Sequence, residues 1–288
     1  MKPFTRTALL PILLTLAACS SEEKEKTPIT SASEQALLPA AFESDGETAF
    51  ENTGDNCRNF MVIAPVLEEN ARKFVPKEFT LVQPPLAFVE MAECEGGSIN
   101  GVDSGPFAIG EAAVFITPPD GSAVPPVIGN QAIYLLWQLD TNAELARLKR
   151  NAGFFGEVVS GIELNISENQ LLPGLPSITK FGTAKIPYKL SPYEFTATLT
   201  PESPEIPPLI NDLWHAGSKG TVHTHNGVFV TTKVMVGMGS VTVKKDTVLH
   251  ELFGSTAVTG FAISGLGSFV NTTELRPDIA STKPDTAP

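Results

Sequence analysis

The stretch that most constrains this chain is residues 133–166, IYLLWQLDTNAELARLKRNAGFFGEVVSGIELNI. It opens with an apolar run, residues 133–139, long enough for a buried strand. A helix start follows. Thr141-Asn142-Ala143-Glu144 has capping-box form, in which the Thr hydroxyl and the Glu carboxylate each satisfy an orphan N–H. Ala-Glu-Leu-Ala-Arg-Leu-Lys-Arg then favours helix, and its basic end suits the negative pole of the helix dipole. Gly153 is placed to take the left-handed conformation that ends a helix, and Phe154 begins a second strand. Strand, short helix and strand at a glycine hinge provide a place for a pocket. They do not name a reaction.

Around this unit the chain is densely punctuated, with 23 Gly and 24 Pro. That suits many short strands and turns better than helices. Strands are expected at residues 58–64, 86–93, 108–117, 177–190 and 193–200, the last two turning at Ser191-Pro192. Residues 66–75 carry Leu67, Ala71 and Phe74 at helical spacing. A short helix is expected around Leu209, Ile210, Leu213 and Trp214. A hairpin is expected from 228–236 to 240–244 across Gly237 and Gly239, and a short helix at 248–253 closed by Gly254. No internal repeat is found.

Residues 1–18 form a targeting segment. Lys2 and Arg6 precede a short apolar core, and Leu16-Ala17-Ala18-Cys19 matches the lipobox of bacterial lipoproteins. The match implies acylation at Cys19 (palmitate) and membrane attachment through that lipid alone. An ordinary secretory signal or a short anchor is the alternative, but an anchor needs about 20 apolar residues and Pro11 interrupts the run. Ser20 after the cysteine points to the outer membrane of the cell envelope. Residues 19–55 and 271–288 are poor in large apolar groups and read as a disordered tether and tail. The folded domain is expected at 56–270. The formal charge of −12 disfavours nucleic acid as a partner. Cys57 and Cys94 remain as an even pair in an oxidising compartment, which suits a disulfide; two buried free thiols are the alternative.

Four segments carry a family resemblance: ENARKFVPKEFTLV at 69–82, GPFAIGEAAVFITPP at 105–119, LLWQLDTNAELARLKRNAGFFGEV at 135–158, and LWHAGSKGTV with VLHELFG within 213–254. Together they resemble the acetoacetate decarboxylase superfamily across most of residues 57–265. The resemblance implies a mainly β fold: a closed, curved antiparallel barrel or cone with an internal pocket and a few short outer helices. It also implies a Schiff-base lysine just after the aromatic-glycine corner. Here that corner reads Phe154-Phe155-Gly156-Glu157-Val158-Val159-Ser160, and Val159 cannot form an imine. No lysine occurs between Lys149 and Lys180. Lys180 and Lys185 lie on a later strand, where a solvated lysine is the plain reading.

What remains is a pocket with acids. Glu111 alternates with Ile109, Ala113 and Phe115, and Glu90 with Phe88 and Ala92, so each carboxyl shares a strand face with apolar groups. Such a carboxyl would have a raised pKa and could act as an acid or orient a ligand; a strand Glu at a barrel mouth, touching water, is the alternative, and for Glu90 it is the plainer reading. Glu157 at the hinge is a further candidate. The pocket wall is expected to include Phe88, Phe115, Trp137 and Phe155, with Glu111 as polar contact. His223 and His225, two apart on a strand, have workable metal-ligand spacing, with Asp212, His215 or His250 as a third ligand; exposed turn histidines before Asn226-Gly227 explain the pattern without a metal. No Walker loop, dinucleotide fingerprint, GxSxG elbow or HExxH occurs, and no cofactor is expected. The reading is a lipid-anchored envelope protein that binds a small, partly apolar molecule. Its alternative is a lyase, isomerase or hydrolase using Glu111 or the histidine pair.

Overall fold

A computed structural model describes residues 49–121, 131–167, 180–201, 209–217, 220–230 and 234–279. Cys19 and the targeting segment lie outside the described residues. In chain order the elements are β1 (Phe50–Pro65), α1 (Glu68–Ala71), β2 (Leu86–Cys94), β3 (Gly96–Ile99), β4 (Val102–Asp103), β5 (Phe107–Ile116) and β6 (Gln131–Asp140). There follow α2 (Ala143–Ala152), β7 (Gly156–Val158), β8 (Glu163–Ile166), β9 (Lys180–Ile186), β10 (Tyr193–Pro201) and β11 (Leu209–Gly217). The last are β12 (Gly220–Val230), β13 (Met235–Val243), α3 (Val248–Phe253) and β14 (Ala257–Arg276).

The strands form one sheet in the order β4-β3-β1-β2-β5-β6-β11-β12-β14-β13-β10-β9-β8, and a further pairing of β1 with β14 closes part of it into a ring. The ring runs β1-β2-β5-β6-β11-β12-β14 and returns to β1. All its pairings are antiparallel except β6 with β11. Beyond β14 the sheet continues through β13, β10, β9 and β8 and folds back over the outside of β1, β2 and β5. Period-2 alternation along each strand then sends successive side chains to the inner and outer faces of the ring.

Two apolar cores result. One lies between the ring and the folded-back sheet: Phe60, Val62, Val89, Ala112 and Val114 from the ring meet Ile186, Phe195, Leu199 and Val241, with the Phe60 and Phe195 rings 4.8 Å apart. The other fills the ring and contains Phe88, Ile109, Ala113, Ile133, Leu135, Leu213, Val222 and Phe269, with Leu145, Leu148 and Ala152 of α2. Each fully buried Leu, Val or Phe of this kind stabilises the fold by about 1.5–3 kcal/mol. Inside the second core Cys57 and Cys94 form a disulfide. Closing that loop contributes typically about 2–4 kcal/mol.

Four local expectations need correction. The cap of α2 is Asn142, which accepts from the N–H groups of Glu144 and Leu145. The Thr141 hydroxyl instead accepts from Ala108 N–H at 2.8 Å, so it is unavailable to the helix. Residues 209–217 are strand, because Leu213 and Trp214 go to opposite faces, one to each core. The expected hairpin across Gly237 and Gly239 does not form: both glycines lie inside β13, where a Cβ would meet Thr198 O at 1.9 Å or the Val62 side chain at 2.7 Å. They let strands approach; they do not turn the chain. Finally, strand pairing starts at Phe50 and ends at Arg276, so the boundaries at 56 and 270 fall inside β1 and β14. The polar residues there are ladder partners of one another, with Asn52 opposite Asn271.

Candidate functional site

Three adjacent ring strands bring the acids together. Glu90 of β2 stands directly opposite Glu111 of β5, and Glu111 stands opposite Gln138 of β6. The row on one side is Phe88, Ala113 and Leu135; on the other it is Ala92, Ile109 and Asp140. A bulge decides this arrangement. The register of β5 and β6 shifts between Ala112 and Ala113, so that Ala113 pairs with Leu135 but Ala112 pairs with Trp137. Strict alternation from Ile133 and Leu135 would send Trp137 and Leu139 into the ring. The extra residue, Leu136, turns them to the outer core and admits Gln138 and Asp140 instead.

Hydrogen bonds fix the group. Gln138 Nε2 donates to Glu111 Oε1. Asn59 Nδ2 donates to Glu90 Oε1 at 3.5 Å, and its own Oδ1 accepts from Gly265 N–H at 2.8 Å, which orients the carboxamide. From the folded-back sheet, Tyr193 Oη donates to the backbone oxygen of Glu111 at 3.2 Å. Helix α2 supplies the cation: Lys149 Nζ is 2.7 Å from Asp140 Oδ1, with side chains 3% and 0% exposed. The other oxygen, Asp140 Oδ2, is buried without a partner among the described residues. Gly156 makes room for the helix, since a Cβ there would meet Ala146 O at 2.8 Å and Lys149 Cβ at 2.9 Å.

Burial dominates the electrostatics. It pushes Glu90 up to about 8, with the Glu111 charge adding to the shift and Asn59 opposing it. Burial likewise pushes Glu111 up to about 7; Lys149 opposes this and Asp140 adds to it. Burial also favours the neutral forms of Asp140 and Lys149, against the ion pair they make with each other. Both glutamates nevertheless keep part of their surface accessible. Two carboxyls opposed on adjacent strands and raised toward neutrality can hold protons at neutral pH and serve as acids.

Phe88 and Phe115 join this site, with ring centroids 5.5 Å apart and edge to face. Trp137 and Phe155 do not: both pack on Tyr188 in the outer core, at 5.6 and 6.1 Å. Glu157 lies opposite Leu139 on that same outer face and pairs with Lys189 at 3.0 Å. Lys185 pairs with Glu194 at the surface of the folded-back sheet, and Lys180 lies on the same strand. His223 and His225 are on the outside of the ring, each with a nitrogen on Asp212 Oδ1, at 3.0 and 3.1 Å. His215 points to the opposite side of β11, with Nδ1 on Leu135 O at 2.8 Å, and His250 is in α3. Among the described residues no group of three His, Cys, Asp or Glu is arranged to hold a metal ion.

Sequence reasoning missed Asn59, Gln138, Asp140 and Lys149. For Lys149 a signal existed. Leu145, Leu148, Lys149 and Ala152 stand at i, i+3, i+4 and i+7, the spacing of a buried helical stripe, so a lysine there has to find a buried partner.

No protein-family model matches the sequence, and no curated protein matches it. Solved structures do. One described as structural studies of acetoacetate decarboxylase superposes with a TM-score of 0.50 at 14% identity, covering 86% of this chain and 96% of that one. The acetoacetate decarboxylase of Legionella pneumophila gives 0.49 at 10% identity, covering 86% and 95%. An enduracididine biosynthesis enzyme, MppR, with HEPES bound gives 0.46 at 13% identity, covering 80% and 86%. At such identities the shared property is the fold: the chain has an acetoacetate decarboxylase-like fold.

Proposed function

We propose that the ring interior is a small-molecule site, and that its ligand presents a polar group to Glu90 and Glu111 and an apolar body to Phe88, Phe115 and Leu135. The observation that carries this reading is the opposed pair of partly accessible carboxyls set among apolar side chains. A fold with no ligand would fill that space with hydrocarbon, because each buried carboxyl without compensation costs several kcal/mol. With the lipobox at residues 16–19, the protein is a lipid-anchored envelope binder, and Cys19→Ala should release it from the membrane fraction.

Schiff-base decarboxylation does not fit this reading. Imine formation needs a neutral amine within bonding reach of a carbonyl, and Lys149 is committed to Asp140 at 2.7 Å. Native mass spectrometry of protein purified from its own host should find a retained small molecule, lost in Glu90→Gln/Glu111→Gln. Incubation with acetoacetate or pyruvate and borohydride should leave the protein mass unchanged. A covalent adduct at Lys149, Lys180 or Lys185 would replace the binding reading with an imine enzyme. A second reading, proton-transfer catalysis, is favoured by the value of about 7 at Glu111. It requires a turnover that Glu111→Gln abolishes.

A further inference from the structure

We propose that the ligand of this site is a cation, an amine or amidine carried on an apolar body. The inference rests on the ring-interior reading and names the chemistry of the ligand. The first argument is the balance of charge. Glu90, Glu111 and Asp140 place carboxyl groups on adjacent strands, and the ammonium that faces them is Lys149. The second is the balance of hydrogen bonds. The donors facing these oxygens are Asn59 Nδ2, Gln138 Nε2 and Lys149 Nζ. Each reaches one oxygen of its carboxyl, so the second oxygens of the partly accessible Glu90 and Glu111 have no donor among the described residues, while Asp140 Oδ2 is enclosed and out of a ligand's reach. The site is short of donors and rich in acceptors.

An anionic ligand would add a negative charge beside these carboxyls, and the neighbouring cations are spoken for. Lys149 holds Asp140, Arg150 donates to Gly156 O at 2.9 Å, and Lys189 and Lys185 pair with Glu157 and Glu194 outside the ring. A neutral hydroxyl supplies a single donor. An ammonium supplies three and an amidinium four, without an acceptor that would compete. The apolar wall matches such a ligand as well. Phe88 and Phe115, edge to face at 5.5 Å, supply apolar aromatic surface beside the carboxyls. The chain's net charge of −12 favours cations over anions in its vicinity.

Binding has a signature. The groups around the site are Glu90 of β2, Glu111 of β5, Asp140 of β6, Lys149 of α2 and Tyr193 of β10. With Glu90 near 8 and Glu111 near 7, the pair holds protons at neutral pH that a bound cation would expel. Affinity for a cation therefore rises with pH as these carboxyls ionise, and complex formation releases protons.

The test uses benzylamine, benzyl alcohol and benzoate, which share one apolar body, titrated into the full chain by calorimetry. Benzylamine should bind at least about tenfold more tightly than benzyl alcohol, and benzoate more weakly than either. Repeating the benzylamine titration in buffers of different ionisation heat should report proton release, and affinity should increase severalfold from about pH 6 to about pH 8. Both effects should disappear in Glu90→Gln/Glu111→Gln, with Glu111→Gln alone as the milder variant if the double does not fold. Benzyl alcohol or benzoate binding as tightly as benzylamine, with loss in Glu111→Gln, would overturn the cation and leave the ring site standing. Binding of none of the three, with no ligand retained in the native protein, would overturn both.

Discussion

The ring carries a carboxylate cluster on each of its surfaces, and the contact distances are nearly the same. Inside, Asp140 and Lys149 meet at 2.7 Å with side chains 0% and 3% exposed. Outside, Asp212 receives His223 at 3.0 Å and His225 at 3.1 Å, and His225 is 53% exposed. At equal separation a pair in an effective dielectric near 20 interacts about four times as strongly as one in water. Inside, burial pushes Glu90 and Glu111 up toward neutrality. Outside, burial would also raise Asp212, but the hydrogen bonds from His223 and His225 prevail and hold its carboxyl below the usual range. Inside, burial without a full set of donors raises the carboxyls; outside, two imidazole partners on one carboxylate outweigh its burial.

The largest test of that contrast is Lys149→Met. It leaves Asp140 buried without its cation and should destabilise the protein by about 3–5 kcal/mol in urea unfolding. Lys149→Met with Asp140→Asn should recover much of that loss. A single-variant effect below about 1 kcal/mol would mean that water already reaches the pair, and the contrast would fail.

The second test is pH. Glu90 and Glu111 are raised in the folded state from 4.5 to about 8 and about 7. Between those values the folded chain holds more protons than the unfolded one, so stability falls as pH rises. The contribution is fully present below 4.5 and gone above about 8. The loss from about pH 5 to about pH 9 should be several kcal/mol, up to about 6 kcal/mol for the two groups together, and Glu90→Gln/Glu111→Gln should flatten it. Stability that is instead flat across this window would place both carboxylates in water.

The smallest effect belongs to the outer cluster. His225→Ala or Asp212→Asn should change stability by less than about 1 kcal/mol and should matter less at high salt. Elemental analysis of protein grown with zinc and iron sharpens the point. One equivalent of metal, lost in His223→Ala/His225→Ala, would make the outer cluster the stronger site.

The order of these effects is not readable from the sequence alone, and the reason is local. Period-2 alternation places Glu90, Glu111, Phe88 and Phe115 on one face, as found. The same rule carried along β6 fails at the bulge, so Trp137 was assigned to the pocket and Gln138 and Asp140 were not. A bulge is set by how two strands meet, which a single strand does not reveal. The ends of α2 are legible to within one residue: Gly153 does close it in the left-handed conformation, at φ 102°. The cap moves to Asn142 because a distant strand takes the Thr141 hydroxyl. Position at the hinge points Glu157 to the pocket, but β7 pairs in parallel with β6 and sets it opposite Leu139 on the outer face, and Phe155 packs on Tyr188 in the outer core.

The closure of the ring also governs how the chain can fold. Gly265 N–H reaches the Asn59 carboxamide across a sequence separation of 206 residues, and β14 is the last strand to be synthesised. Until it arrives, β1 has β2 on one edge and nothing to complete the circle, while β12 and β13 each lack a neighbour that β14 alone supplies. Contacts of such long range make folding slow, and the exposed edges are prone to pair with other chains. A chain that stops short of residue 257 would therefore leave three open strand edges at once. In the cell such a chain needs protection until its C-terminal strand can insert.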